Sequence, residues 1–281
     1  MTKGNFNMKK IVYANYDWDD NAMFMPTRIV LFAKDKNSGL KEIEVSTETF
    51  AHTRSKVGIE SCKVFITQDN GVAVGSLNSP SLVAVDLLNY EVNNDDATGS
   101  FKQFRDCAND YFMRDLKTAL KNKTFGPSFK DLQEHCQTQE LANNVRIITA
   151  RGHNPTTLHK GLVYLKTVGL IKCVPPVENM FPCSFKGLNS KMVASAQNPS
   201  EAKKNILMSI LDQIHTKALN DNNFHTFGFS DDDKKTMTLV EQALQAELKV
   251  GRWSNFEINL YFTGNKKKER QVLLSLVPEV A

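Results

Sequence analysis

An apolar segment that ends in an acidic cluster constrains this chain more than any other feature of its sequence. Ile11-Val12-Tyr13-Ala14 is followed within a few residues by Asp17-Trp18-Asp19-Asp20-Asn21. The apolar part predicts a buried strand, and the acidic residues cannot continue into a packed core without partners. Two carboxylates at positions i and i+2 can bind a divalent cation, and one can attack an electrophile while the other transfers a proton. The sequence therefore predicts a site where the first strand ends.

The composition is that of an ordinary globular chain. Of the 281 residues, 41% are hydrophobic and 23% are charged, and the net charge of +4 is too small to indicate nucleic-acid binding by itself. The five cysteines are scattered and form no CxxC pair, which argues against a zinc ribbon and against a disulfide framework. The first apolar run is shorter than the roughly 7–15 residues of a signal peptide, and no segment approaches the ~18 of a membrane span. We therefore expect a cytoplasmic protein.

Strand-like and helical segments alternate along much of the chain. The predicted strands are 10–16, 28–33, 42–45, 62–66, 82–86, 145–148, 224–229, 256–262 and 271–277, and the predicted helices begin near Phe101, Ser128, Thr156, Ser200 and Asp233. This order predicts an α/β fold with a doubly wound, mostly parallel sheet. Residues 28–98 read as a β-rich insertion after the first strand, and residues 250–281 as a C-terminal β-hairpin extension. Because the chain has no internal repeat and no low-complexity linker, we predict a single domain over 1–281.

Polar residues follow three of the predicted strands. Asp17 and Asp19 follow the first, Thr149 follows 145–148, and Ser230-Asp231-Asp232-Asp233 follows 224–229. Ligands of parallel α/β sheets lie at the carboxyl ends of the strands, so we expect these clusters to form one site. A lysine at the start of the preceding helix, Lys203 or Lys204, would add a cation.

These segments resemble the sequence motifs of the haloacid dehalogenase-like (HAD) superfamily of hydrolases. Asp17-Trp18-Asp19-Asp20-Asn21 corresponds to the first motif, DxDx(T/V), and Arg146-Ile147-Ile148-Thr149 to the second, a strand that ends in Ser or Thr. Lys203 corresponds to the third motif, and Gly228-Phe229-Ser230-Asp231-Asp232-Asp233 to the paired acids of the fourth. The order and spacing match from residue 11 to about residue 248. The resemblance implies a HAD-like Rossmannoid core.

The resemblance also implies a Mg²⁺-dependent phosphomonoester hydrolase, a phosphatase that acts through an aspartyl-phosphate. In this interpretation Asp17 is the nucleophile and Asp19 the general acid and base. Thr149 would donate a hydrogen bond to a phosphoryl oxygen, and Lys203 would offset negative charge. The implied Mg²⁺ ligands are Asp17, the backbone carbonyl of Asp19, and Asp231 or Asp232.

The substrate side of the predicted site rests on Asn21 and Arg151, and His153 could also reach a substrate. Asn21 stands where the superfamily prefers Thr or Val, and Phe229 occupies the acidic position of the common GDxxxD form. Which of the three aspartates 231–233 bind metal stays open, and we favour Asp233 as a helix N-cap. A phosphorylated substrate, either a small molecule or a nucleic-acid end, is the predicted partner, and a membrane is not.

Two other functions stay open. Trp18, Arg151 and the lysines 266–268 also suit an enzyme that removes phosphate from polynucleotide ends. The off-pattern Asn21 and Phe229 suit a non-catalytic Mg²⁺-binding or interaction module on the same scaffold. In the HAD superfamily, insertions such as 28–98 form caps that select substrates, but this segment resembles no cap of known type.

Overall fold

The first strand lies at the centre of a parallel sheet in the computed structural model of this chain. The structure describes residues 9–35, 39–46, 63–67, 72–73, 82–88, 110–185, 187–188, 193, 195–219, 221, 223–253, 256–264 and 271–276. Every structural statement below concerns these residues.

The described strands and helices alternate along the second half of the chain. The strands are β1 (Lys10–Tyr16), β2 (Arg28–Asp35), β3 (Gly39–Ser46), β4 (Lys63–Thr67), β5 (Val72–Ala73), β6 (Leu82–Leu88), β7 (Val145–Thr149), β8 (Met180–Pro182), β9 (Phe224–Asp231), β10 (Phe256–Phe262) and β11 (Gln271–Leu276). The α-helices are α1 (Asp110–Asn122), α2 (Phe129–His135), α3 (Gln139–Ala142), α4 (Pro155–Thr167), α5 (Pro199–Ala218) and α6 (Lys234–Lys249). A short 3₁₀ helix, Val177–Asn179, precedes β8.

The larger sheet has the strand order β11-β10-β9-β1-β7-β8. Its first five strands in chain order, β1, β7, β8, β9 and β10, all run parallel, and β11 pairs antiparallel with β10 at one edge. From β1 the chain moves outward to β7 and β8, and it then returns to the other side of β1 for β9 and β10. The strand order therefore reverses between β1 and β9, and such a switch point is where ligands bind in open α/β sheets.

Apolar side chains cover both faces of this sheet. Ile148 of β7 belongs to a core cluster formed with α5, α6, β9 and β10, whereas its neighbour Ile147 is equally buried outside that cluster. Successive side chains of a strand point to opposite faces, so β7 is covered on both sides. Parallel strands with two covered faces and intervening helices confirm the predicted α/β fold with a mostly parallel sheet.

A second sheet is built from the strands between β1 and α1. Its order is β3-β2-β6-β4-β5, and all of its described pairings are antiparallel. The chain divides into two compact units, one formed by Met1–Met25 with Ala119–Ala281 and the other by Pro26–Thr118. The predicted single domain with an insertion at 28–98 stays a prediction beside this division.

The chain leaves the larger unit and re-enters it at neighbouring points. Met23 forms an isolated β-bridge with Phe125. The Phe24 amide donates to the Thr124 carbonyl at 2.9 Å, and the Thr124 hydroxyl donates to the Phe24 carbonyl at the same distance. About a hundred residues thus separate two positions that share hydrogen bonds.

Within the described residues, no helix combines the length and the apolar character that crossing a membrane requires. The predicted helix from Phe101 is described only from Asp110 onward, and the lysines 266–268 lie outside the described residues.

Candidate functional site

The acidic cluster after β1 forms a tight turn that is attached to the end of β9. The Asp17 amide donates to the Ser230 carbonyl at 3.0 Å, which extends the pairing of the two parallel strands by one residue. The amides of Ala22 and Met23 both donate to the Trp18 carbonyl, and Asp20 has a positive φ of 54°. Asp tolerates this left-handed conformation better than most residues, so the sequence suits the turn.

The Asn21 side chain joins four segments of the chain. Its amide nitrogen donates to the carbonyls of Asp17 and Ser230, at 3.0 and 2.9 Å. Its amide oxygen accepts from the hydroxyls of Ser128 and Thr263, at 2.7 and 3.1 Å. Asn21 is fully buried. An amide can donate and accept at the same time, which explains why this position carries Asn here. The predicted contact of Asn21 with a substrate stays a prediction, and the described geometry gives the residue a positioning role.

Two glycines allow neighbouring loops to pack directly against the backbone of the two acidic segments, the one after β1 and the one after β9. A Cβ atom at Gly126 would lie 2.2 Å from the Asn21 carbonyl oxygen, and one at Gly264 would lie 2.1 Å from the Asp232 carbonyl oxygen. Both distances are far below van der Waals contact. A side chain at either position would therefore displace the backbone that carries the acidic residues.

Three carboxylates converge beside the switch point of the sheet. Asp17, Asp231 and Asp232 each offer an oxygen, and these atoms all lie within 4.8 Å of one another. The Asp17 and Asp231 side chains are 7% and 0% exposed. The Trp18 amide donates to Oδ1 of Asp17 at 2.8 Å, which fixes the orientation of that carboxylate. Oxygen donors from several carboxylates in one place are the ligand set of a hard divalent cation.

Lys203 supplies a cation to this cluster. Its Nζ lies 3.0 Å from Oδ2 of Asp17 and 2.7 Å from Oδ2 of Asp231. Lys203 stands at the N-terminal end of a buried stripe on α5 whose later members are Ile206, Leu207, Ile210, Leu211 and Ile214. The spacing of three and four residues places Lys203 on the core face, while Lys204 is half-buried. This periodicity is a sequence signal that distinguishes the two lysines.

Burial dominates the electrostatics of the cluster. It raises the pKa of Asp17 to about 7, against the opposing influence of Lys203 and with added repulsion from Asp231. Burial, followed by repulsion from Asp17, raises the pKa of Asp232 to about 9, and burial also raises the pKa of Asp231. Burial alone would lower the pKa of Lys203, but Asp17 and Asp231 raise it well above its ordinary value. The cluster therefore has more negative than positive charge when it is ionised.

Asp19 lies on the more exposed side of the turn and is held by Arg151. The guanidinium donates from Nε to Oδ2 at 2.7 Å and from Nη2 to Oδ1 at 2.6 Å. The Arg151 side chain is 3% exposed and that of Asp19 is 27% exposed. The predicted use of the Asp19 backbone carbonyl as a metal ligand stays a prediction.

The segments after β7 and β8 support the other side of the site. Thr149 is buried at the carboxyl end of β7, and its carbonyl accepts from the Cys183 amide at 2.7 Å. Burial raises the pKa of the Cys183 thiol to about 12, so this thiol is not a nucleophile at neutral pH. His153 is also buried. The structure thus brings Thr149 to the predicted edge of the sheet, and its contact with a phosphoryl group stays a prediction.

Asp233 is the N-cap of α6, as predicted. Its carboxylate accepts from the Lys235 amide at 3.0 Å and from the Thr236 hydroxyl at 2.7 Å. These bonds also hold its pKa below the ordinary value, although burial opposes them. The three consecutive aspartates therefore divide between two roles, because Asp231 and Asp232 belong to the carboxylate cluster and Asp233 caps the helix.

The sequence places Ser128 at the start of a helix and Ser230 in the polar cluster after 224–229, but it indicates no contact of either residue, or of Thr263, with Asn21. Ser128, Ser230 and Thr263 are hydroxyl residues far apart in the chain that meet at Asn21. Isolated hydroxyl residues carry no periodic signal, and only their place directly after strands or before helices could have indicated them. Trp18 is fully buried and packs in the core of the unit.

Comparison with models of protein families, with curated proteins and with solved structures found no match for this chain.

Proposed function

We propose that this protein is a Mg²⁺-dependent phosphomonoester hydrolase of the HAD-like type, acting through an aspartyl-phosphate on Asp17. One observation carries the proposal: the carboxylates of Asp17 and Asp231 share Lys203 at the switch point of a parallel sheet. A buried lysine between two aspartates can serve structure alone. Here a third carboxylate lies in the same cluster, and one lysine cannot neutralise the negative charge of three carboxylates.

The residues of the cluster fit a divalent cation. Three carboxylates face one ammonium group, so the ionised cluster lacks two positive charges. Burial is the largest cause of the raised pKa values of Asp17 and Asp232, and repulsion among the carboxylates adds to it. Asp17, Asp231 and Asp232 would hold Mg²⁺, which would neutralise the transferring phosphoryl group and align it with the nucleophile. The ligand set is oxygen only, which favours Mg²⁺ over zinc.

The remaining steps belong to residues of the chain. One Asp17 oxygen attacks phosphorus, and the bond from phosphorus to the ester oxygen breaks. Asp19 gives its proton to that leaving oxygen, and it later accepts a proton from the water that attacks the aspartyl-phosphate. The bond between Asp17 and phosphorus then breaks, and inorganic phosphate leaves. Lys203 offsets negative charge throughout, and Thr149 donates a hydrogen bond to a phosphoryl oxygen.

A phosphate-release assay tests this function directly. Wild-type protein should hydrolyse a generic aryl phosphate with Mg²⁺ and lose that activity with EDTA. Asp17→Asn keeps the size of the side chain and removes the nucleophile, so activity should fall by roughly 10⁴-fold or more. Asp221→Asn is a matched control, since Asp221 is bonded to His225 and takes no part in the cluster. Wild-type and Asp17→Asn proteins that are equally inactive across a broad phosphate panel would contradict the proposal.

Beryllium fluoride separates a catalytic site from a non-catalytic one. This phosphate analogue should bind in the presence of Mg²⁺ to the wild-type protein and not to Asp17→Asn. The structural roles of Asn21 and Phe229, the two residues that depart from the superfamily pattern, weaken the argument for a non-catalytic module. Asn21 is needed for its four hydrogen-bonding partners, and Phe229 is a fully buried core residue.

Two observations count against an enzyme that removes phosphate from polynucleotide ends. Trp18 is fully buried, so it is not placed to stack on a base, and Arg151 is engaged by Asp19. Activity on 5′- or 3′-phosphorylated oligonucleotides that falls steeply with salt would restore this alternative. We therefore propose a small-molecule phosphate ester as the first substrate class to test.

A further inference from the structure

The pair formed by Arg151 and Asp19 has a geometry that the proposed substrate contact of Arg151 does not need. Two parallel hydrogen bonds, at 2.7 and 2.6 Å, join the guanidinium to both oxygens of the carboxylate. A two-point contact of this kind fixes the plane and the direction of the carboxylate as well as its distance. Asp19 is therefore held in one orientation, although it lies on the more exposed side of a turn.

Arg151 is buried more deeply than Asp19, and this difference bears on which of the two can reach a substrate. The Arg151 side chain is 3% exposed, and its third nitrogen, Nη1, is buried as well. The Asp19 side chain is 27% exposed. A ligand that approaches this pair from solvent meets the carboxylate first, and the guanidinium lies behind it.

The backbone of Arg151 is itself fixed by neighbouring segments. Its carbonyl accepts from the Ser184 amide at 3.2 Å, and its amide donates to the Thr149 hydroxyl at 3.4 Å. The Cys183 amide bonds to the Thr149 carbonyl just before it. These contacts tie the segment after β7 to the segment after β8, so the guanidinium projects from a rigid base.

We infer that Arg151 is a positioning residue for Asp19, which it aims at the oxygen of the leaving group, and that it is not a ligand of the substrate phosphate. The inference rests on the proposed function, because Asp19 needs an orientation only if it transfers a proton. Asp19 first takes up a proton from solvent; when the ester bond breaks, this proton moves to the leaving oxygen, and Arg151 holds the resulting carboxylate in its orientation. A displacement of about 1 Å in such a group can reduce a rate by about 100-fold.

The dependence of rate on the leaving group distinguishes the two roles of Arg151. An alkoxide leaving group needs a proton, whereas a nitrophenolate leaves readily without one. Loss of a positioning residue should therefore slow an alkyl phosphate far more than a nitrophenyl phosphate. Loss of a phosphate ligand should affect both substrates equally, because both carry the same phosphoryl group.

The experiment compares Arg151→Gln, Arg151→Lys and Asp19→Asn on these two substrates with Mg²⁺ present. For Arg151→Gln we expect kcat/KM, which reports the transfer of the phosphoryl group to Asp17 and not the later hydrolysis, to fall by about 100-fold on the alkyl phosphate and by less than about 5-fold on the nitrophenyl phosphate. Inhibition by inorganic phosphate should change by less than about 3-fold, because ground-state binding is retained. Arg151→Lys should lie between Arg151→Gln and the wild type, since an ammonium group cannot form the two-point contact.

A double variant and a surface control complete the test. Asp19→Asn should reproduce the leaving-group pattern, and adding Arg151→Gln to it should cause no further loss, because both changes remove one interaction. Arg252→Gln removes an exposed arginine that pairs with Asp212 and Glu247, and it should leave both rates unchanged. Arg151→Lys keeps the buried charge, so it carries the comparison if Arg151→Gln does not fold.

Three results would overturn the inference while the proposed function stands. These are an equal loss of kcat/KM on both substrates, weaker inhibition by inorganic phosphate, and values of kcat/KM that do not change in either Arg151 variant. A wild-type protein that hydrolyses neither substrate would instead contradict the proposed function, and this inference would fail with it.

Discussion

Carboxylates at the two ends of the parallel sheet have pKa values that are shifted in opposite directions. At the carboxyl end, burial raises the pKa of Asp17 to about 7. At the amino end, burial also acts on Asp221, but hydrogen bonds from His225 and from the Asn223 backbone outweigh it and lower its pKa. Glu257 belongs to the second kind, because its hydrogen bond from Asn259 lowers its pKa first of all.

The difference separates acids that each have a partner from a cluster of acids that share one. Each acid at the amino end has its own partner: Asp221 bonds to His225 at 2.7 Å, and Glu257 lies 3.4 Å from Lys10. At the carboxyl end three acids share Lys203. Matched pairs stabilise the charged form of their acids, whereas an unmatched cluster destabilises it until a further cation binds.

Removing Lys203 should give the largest effect on stability. Lys203→Met leaves Asp17 and Asp231 buried without their cation, and breaking a buried ion pair costs about 3–5 kcal/mol of unfolding free energy. Chemical denaturation at neutral pH in EDTA measures this loss. Lys204→Met, at the half-buried neighbouring position, should change the value by less than about 1 kcal/mol. Equal losses in the two variants would mean that the cluster is not a charged unit.

Magnesium should reverse the pH dependence of stability. The folded pKa values of about 7 for Asp17 and about 9 for Asp232 exceed the ordinary value of 3.8, so the folded chain binds more protons than the unfolded chain in this range. Without metal, the contribution of these groups to stability is therefore present at low pH and is lost as pH rises. If Mg²⁺ binds the ionised carboxylates, as proposed, the stabilisation that it gives should grow with pH.

Thermal unfolding between about pH 5.5 and pH 8.5, with Mg²⁺ and with EDTA, checks this sign. The two curves should diverge as pH rises, and Asp232→Asn should reduce the divergence because it removes the carboxyl group whose pKa burial raises to about 9. Parallel curves in the two conditions would contradict a metal site at these residues.

Substitution of Asp233 should affect Mg²⁺ affinity much less than substitution of its neighbour Asp232. Asp233→Ala removes the cap of α6 and should cost about 1 kcal/mol of unfolding free energy. Because its carboxylate is used by Lys235 and Thr236, Mg²⁺ affinity measured by calorimetry should change little. Asp232→Asn is the comparison, and it should weaken Mg²⁺ binding clearly. A loss of affinity in Asp233→Ala as large as in Asp232→Asn would move Asp233 into the metal site.

The smallest effect should come from the amino end of the sheet. Asp221→Asn keeps an oxygen that can accept from the buried His225, and the Asp221 side chain is itself 35% exposed, so the change should cost less than about 1 kcal/mol. Its sign with pH is opposite to that of Asp17, since a lowered folded pKa gives stability that is lost as pH falls. Denaturation at about pH 7 and about pH 4 should therefore reveal a smaller difference between Asp221→Asn and wild type at the lower pH.

The sequence predicted the strands with strong patterns and missed those without one. β1, β7, β9 and β10 were found within a residue or two, because long apolar or alternating runs reflect burial on a sheet. β8 is only three residues long and includes Pro182, which fits an edge strand and gives no periodic signal.

The same contrast holds within the candidate site. The acidic side chains follow strong strands, so their order along the sequence was enough to group them. The two-point contact between Arg151 and Asp19 joins residues 132 positions apart, and nothing in either local sequence specifies it. Contacts that depend on tertiary packing in this way are absent from single-sequence patterns.

Phe24 and Thr124 are joined by hydrogen bonds, and this arrangement affects how the chain between them can change in evolution. When both ends of a long excursion are already clamped together, doubling its length costs only about 0.6 kcal/mol of closure entropy. Material between the two clamped positions can thus be exchanged, enlarged or trimmed with little thermodynamic resistance, while the acidic turn a few residues upstream keeps its shape. The fold therefore allows that stretch of chain and the acidic turn to change independently of each other.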